Sequence, residues 1–173
     1  MIDIESCYYE VKTKSEVISN LFPTILDNQW VLYHGFNTLP IPIDIILKEP
    51  FLNKLNSKFK IKQAGILLIE ENSFYKWHID GSRGVGINML LSHVNSHCLF
   101  TEHDYDKKTQ AKIIELEYKQ DKFYIFNTQY PHTVINFNGP RYMFSVEFEQ
   151  DKTLLTYNNV KNWAQQDWPL GPV

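Results

Sequence analysis

From residue 61 to residue 149 the chain breaks into about eight short strand-like segments separated by turns, and no other feature restricts the fold as much. The segments are 61–69, 75–80, 86–92, 98–101, 112–118, 122–127, 133–137 and 141–149. The stretch from Lys112 to Tyr118 alternates apolar and polar residues, as a strand with one wet face does. Gln120-Asp121 then reads as the turn into the next strand. Strands this short and this regularly spaced, with helical sequence ahead of them, predict a mainly β chain. The expected architecture is a two-sheet, cupin-like jelly roll with N-terminal helices packed on one sheet.

The first sixty residues have a different pattern. Thr13-Lys14-Ser15-Glu16 has the capping-box spacing, and Val17, Ile18, Leu21 and Phe22 follow at helical intervals up to Pro23, where the helix is expected to end. Pro40 and Pro42 bracket the entry to 43–47, and Pro50 separates that stretch from 51–55, so one or two short helices are expected. The tail from Asp151 carries Trp163 and Trp168 and ends rich in Pro and Gly; it is expected to pack over the body or to serve a subunit contact. With no repeat, low-complexity stretch or linker, the 173 residues read as one domain: helical 1–60, jelly-roll 61–149, tail 150–173.

Composition narrows the function classes. An apolar fraction of 43% describes a globular chain rather than a disordered one. A net charge of −3 argues against the broad basic field that nucleic-acid binding needs, although a local basic strip stays compatible. Cys7 and Cys98 are too few for a disulfide framework and read as reduced thiols. Asp3, Glu5, Glu10 and Lys12 stand where a signal core would be apolar, and the longest apolar run, 64–69, is far too short to span a bilayer. The expectation is a cytoplasmic protein with no membrane partner, its oligomeric state open.

The chemistry concentrates in two places. Trp77-His78-Ile79-Asp80 puts an imidazole and a carboxylate two residues apart, and on a strand both point to the same face. Such a pair can chelate a divalent metal but needs a third ligand. The second place runs from Pro131-His132 to Arg141. Asn138-Gly139 is a strong signal for a two-residue hairpin turn. That turn would put His132, Val134, Asn136, Arg141, Met143 and Ser145 on one face of a β-ribbon, with a mostly apolar face behind. His78, Asp80 and His132 together make two imidazoles and one carboxylate, the set that leaves open positions on a non-haem Fe(II) for a co-substrate and O₂. Arg141 offers a planar fork for the distal carboxylate of a 2-oxo acid, with Ser145 as a hydroxyl contact. His93 and His97, with Cys98 alongside, have zinc spacing only on a helix, and their surroundings are strand-like.

These residues resemble the Fe(II)/2-oxoglutarate-dependent oxygenases, nearest their aspartyl/asparaginyl β-hydroxylase-like and free-proline hydroxylase branch. The resemblance runs from about Ile61 to Glu149, roughly half the chain, and is carried by the stretch 77–80, by 127–136, and by Pro140-Arg141 with 145–148. It implies a double-stranded β-helix, with His78, Asp80 and His132 as catalytic iron ligands and Arg141 as anchor of the 2-oxoglutarate carboxylate. Relatives often carry an arginine and a histidine on the next strand. Here that stretch looks like Gly86-Ile87-Asn88, so Asn88 stands where the histidine would, and Arg83 is the candidate for substrate contact. Asn136 and Ser145 are further co-substrate candidates, although each also suits an ordinary polar strand position. The implied cofactors are Fe(II), 2-oxoglutarate and O₂, and the implied substrate is a small molecule or peptide. A cupin-type metal enzyme without a 2-oxo acid, or a non-catalytic jelly-roll binding protein, stay as alternatives.

Overall fold

The computed structural model describes residues 2–92 and 94–168. His93, and with it the zinc alternative, lies outside the described residues, as does the Pro/Gly end of the tail. In chain order the elements are α1 (Ile4–Cys7), β1 (Tyr8–Lys14), α2 (Val17–Ile25), β2 (Val31–Tyr33), β3 (Phe36–Ile41), α3 (Ile43–Ile46) and α4 (Pro50–Lys58). Then follow β4 (Ile61–Ile69), β5 (Ser73–His78), β6 (Gly86–Leu90), β7 (Ser96–Thr101), β8 (Ile113–Leu116), β9 (Lys122–Phe126), β10 (His132–Asn136), β11 (Arg141–Phe148) and α5 (Tyr157–Asp167). No helix among the described residues is long and apolar enough to cross a membrane.

The strands form two antiparallel sheets. A seven-stranded sheet has the order β1-β9-β6-β11-β4-β3-β2, and a four-stranded sheet the order β5-β10-β7-β8. From β4 to β11 the chain passes back and forth between the two sheets, except at β7 and β8, which are neighbours in the smaller one; this is the winding of a double-stranded β-helix. Phe51, Leu52 and Leu55 of α4, Ile18 of α2, and Val160 and Trp163 of α5 bury against the large sheet beside Phe123, Phe144 and Val146. The side chains of Cys98, Phe100, Leu116, Tyr124, Phe126 and Val134 form a second core between the sheets.

Three local expectations are corrected. The first sixty residues contribute three strands besides their helices, and Thr13 lies in β1 rather than capping α2. The N-terminal donors of α2 are met instead by Ser15 and Glu49: the Ser15 hydroxyl accepts from the Ser19 amide at 3.3 Å, and the Glu49 carboxylate accepts from the Val17 amide at 3.0 Å and the Ser15 hydroxyl at 2.9 Å. Pro23 falls inside α2, which runs on to Ile25.

The third correction bears on the site. β10 and β11 are not a hairpin: β10 pairs with β5 and β7, and β11 with β4 and β6. Of the two turn residues only Gly139 takes a positive φ, 65°. The corner is held by longer-range bonds, from the Asn95 amide to Asn138 Oδ1 (2.7 Å) and from the Gly139 amide to Glu71 Oε2 (3.3 Å). These tie the turn to two segments, and the chain passes from one sheet to the other.

Candidate active site

His78 closes β5 and His132 opens β10, and the two are directly paired across the ladder. Their ring centroids lie 4.1 Å apart. The ladder contains a bulge: Val134 pairs with Tyr75, so β5 has one extra residue between its two pairings. Without it Tyr75 and His78 would face opposite ways; with it their rings meet at 4.2 Å. Asp80 lies just past the strand, its amide donating to the Thr128 carbonyl at 3.1 Å. Asp80 Oδ1 stands 3.5 Å from His78 Nε2 and 4.0 Å from His132 Nε2. One ligand atom from each of the three lies within 4.8 Å of the others, a group that can hold a metal ion.

The rings are set for that task. His78 Nδ1 lies 2.9 Å from the Lys76 carbonyl, and His132 Nδ1 lies 2.9 Å from the Tyr130 carbonyl. A carbonyl only accepts, so each Nδ1 is the donor and each Nε2 is left turned towards Asp80. Burial, followed by the neighbouring His78, lowers the pKa of His132 to about 4, so this ring is neutral near pH 7. Burial pushes the Asp80 carboxyl up, but His78, Arg83 and His132 outweigh it and hold the carboxyl below its ordinary value.

Arg83 Nε and Nη2 both bond Asp80 Oδ2, at 2.8 and 2.7 Å, leaving Oδ1 to the histidines. The loop carrying Arg83 is pinned. The Thr128 hydroxyl and Gln129 amide both donate to the Arg83 carbonyl at 2.6 Å, and the Lys152 amide donates to the Ser82 carbonyl at 2.9 Å. A side chain at Gly84 would meet the Leu155 carbonyl at 2.4 Å, so only glycine fits this close approach.

Arg141, from β11 on the facing sheet, shares an inner cavity of about 90 Å³ with His78, His132, Asn88 and Ser145. It is 2% exposed. Its Nε donates to the Ser96 hydroxyl at 3.1 Å and its guanidinium lies 5.7 Å from the Tyr118 ring centroid. Among the described residues no carboxylate pairs with it. Removing the partner of a buried charge costs about 3–5 kcal/mol, so this guanidinium is set to receive an anion. A 2-oxo acid with a distal carboxylate fits that demand.

The other sequence candidates lie as follows. Ser145 donates to Asn88 Oδ1 at 2.9 Å, both on the inner-cavity wall. Asn136 is committed elsewhere, its Nδ2 donating to the Ile69, Glu70 and Gly139 carbonyls. Arg83 lines the cavities but has its guanidinium on Asp80. Tyr118 was missed: its ring lies at Arg141 and its hydroxyl bonds Asn88, with burial raising its pKa well above the ordinary value. The signal was present, because Tyr118 alternates in phase with Ile114 and Leu116. A second, outer cavity of about 450 Å³ opens from His78 and Asp80 past Tyr75 and Phe36 to Gln63 and Glu147.

No protein-family model matches the sequence, and no curated protein matches it closely enough to count as a relative. Solved structures match it in three dimensions. A Pseudomonas putida prolyl-4-hydroxylase aligns with a TM-score of 0.57 at 13% identity, covering 83% of this chain and 91% of that one. HygX from Streptomyces hygroscopicus, solved with nickel and 2-oxoglutarate bound, aligns at 0.59 and 9% identity over 88% and 86%. A Trichoplax adhaerens prolyl hydroxylase in complex with a hypoxia inducible factor peptide fragment aligns at 0.57 and 13% identity over 82% of each chain. The fold is the double-stranded β-helix of the 2-oxoglutarate–Fe(II) oxygenases. At these identities the likeness concerns the fold; the chemistry rests on the side chains described above.

Proposed function

We propose that this protein is an Fe(II)/2-oxoglutarate-dependent dioxygenase that hydroxylates an amino acid, a peptide side chain or a related small molecule. The observation that carries the reading is the meeting of two features: three convergent ligands, two of which line the inner cavity, and in that cavity a buried guanidinium with no carboxylate partner among the described residues. His78, Asp80 and His132 would hold the metal through Nε2, Oδ1 and Nε2. Arg141 would grip the distal carboxylate of 2-oxoglutarate, with Tyr118 and Ser96 beside it and Asn88 and Ser145 on the wall between. Bound iron, with 2-oxoglutarate and O₂, supplies an oxidant for an unreactive C–H bond and yields succinate and CO₂. No side chain need remove a proton from carbon; the chain positions the reactants and its apolar walls exclude water.

The test is an anaerobic titration of Fe(II) and 2-oxoglutarate, followed by succinate release on admitting O₂. Binding of both and iron-dependent succinate formation support the proposal. Metal binding without 2-oxoglutarate affinity would instead indicate a cupin-type metal enzyme, and binding of neither a non-catalytic jelly-roll protein.

A further inference from the structure

The outer cavity ends, away from the three ligands, in a polar cluster that the oxygenase reading does not use. Glu147 of β11 and Gln63 of β4 are register partners, and Tyr33 of β2 reaches them from the edge of the sheet. Gln63 Nε2 donates to Glu147 Oε2 at 2.6 Å and to the Tyr33 hydroxyl at 2.5 Å. The Tyr33 hydroxyl donates its own proton to Glu147 Oε2 at 3.0 Å, and Lys62 Nζ donates to Oε1 at 2.9 Å.

Both Gln63 amide hydrogens and the Tyr33 hydroxyl hydrogen are used within the cluster. A carboxylate accepts about four hydrogen bonds, and three donors already reach Glu147. What remains facing a guest is acceptor capacity: the free side of Glu147 Oε1 and the Gln63 carbonyl oxygen. Lys62 only partly offsets the charge, since its side chain is 54% exposed and water screens it. Of the cluster's groups that line the cavity, a carboxylate or phosphate would meet Glu147 and the Gln63 carbonyl; the one cation of the cluster, Lys62, is already bonded to Glu147 and does not line the cavity. Between the cluster and His78 the cavity wall includes Phe36, Pro40, Leu67 and Tyr75, with the hydroxyls of Thr38 and Ser145 among them.

We propose, resting on the oxygenase reading, that the substrate is an aliphatic molecule ending in a protonated amine. Its ammonium binds Glu147 and Gln63, and its carbon chain lies along Phe36, Leu67 and Tyr75 with a C–H bond near His78 and Asp80. A hydrogen bond to a charged group is worth about 1.5–3 kcal/mol, so losing the carboxylate charge weakens amine binding by about tenfold or more.

The test uses the full chain loaded with Ni(II) and saturating 2-oxoglutarate, which binds without turnover. Cadaverine and L-lysine are titrated by saturation-transfer NMR and calorimetry, with 1,5-pentanediol and adipate as neutral and anionic counterparts. The amines are expected to bind in preference to both counterparts. Glu147→Gln should weaken them about tenfold, while Lys62→Met, which frees one acceptor position and removes the compensating charge, should strengthen them. A purely structural latch would not move the two variants in opposite directions. Equal amine binding by wild type and Glu147→Gln, preference for adipate or the diol, or no amine binding overturns the inference. If 2-oxoglutarate affinity is intact in that same sample, the oxygenase reading survives; if 2-oxoglutarate does not bind the wild-type protein, it is that reading which fails.

Discussion

His78 and His132 are ladder partners on adjacent strands, their rings 4.1 Å apart and each Nδ1 tied to a backbone carbonyl two residues before it. The same local bond at both rings means that neither imidazole need turn to meet a metal. His132→Ala should therefore lower Fe(II) or Ni(II) affinity by more than about a hundredfold while leaving the fold intact, since the vacated space opens on a cavity. Calorimetry on the purified variant measures this. Metal affinity unchanged from wild type would remove His132 from the site.

Arg83 should act through Asp80. With its Nε and Nη2 on one carboxylate oxygen, it keeps the other turned to the histidines. Arg83→Met should reduce metal affinity by about 10–100-fold, the usual effect of losing a partner that orients a ligand. Arg83→Lys should recover part of it, having the charge without the fork. If Arg83→Met binds metal normally but loses substrate-stimulated turnover, Arg83 contacts substrate instead.

Arg141→Ala should cost about 2–5 kcal/mol in 2-oxoglutarate binding and leave metal affinity unchanged. Tyr118→Phe should have a smaller effect in the same direction, about 1 kcal/mol for one neutral hydrogen bond. Ultraviolet absorption of the anaerobic iron–oxoacid complex reports both. Loss of metal from Arg141→Ala with co-substrate affinity retained would contradict the assignment.

Glu147 should also show in the pH dependence of stability. Burial raises its carboxyl, but the bonds from Lys62, Gln63 and Tyr33 outweigh that and hold it below its ordinary value of 4.5. A depressed folded-state pKa contributes stability that is fully present above the unfolded value and lost as pH falls through the folded one. Glu147→Gln should therefore lower Tm at neutral pH, and the gap to wild type should shrink as pH drops below about 4.5. A gap that stays constant down to acid pH would show that the carboxylate charge does not stabilise this cluster.

Much of the architecture was legible because it is written in local patterns. All eight strand-like segments after residue 60 are strands, their ends displaced by a few residues. The His-x-Asp pair and the distal His and Arg stood out as residue types before any geometry was known. What was hidden depends on partners far away in the chain. β1 read as the approach to a helix because nothing local reveals its pairing with β9, and the start of α2 is met by the distant Glu49 as well as by the neighbouring Ser15. Asn138-Gly139 resembles a hairpin turn, yet Asn95 and Glu71 draw it into a corner. Alternation nevertheless groups Arg141, Met143 and Ser145 with His132, Val134 and Asn136. The reason is different: alternation sends both sets inward from facing sheets, not outward on one ribbon.

That arrangement has a mechanical side. His132 and Arg141 belong to opposite leaves of the sandwich, so the gauge between them is the thickness of the filling, near 10 Å for stacked sheets, and not the pitch of a strand. Met143, Val134 and Phe126 are the shims that keep the jaws at that opening. A bulkier shim would loosen the grip on a fixed-length guest without altering a single residue that holds it.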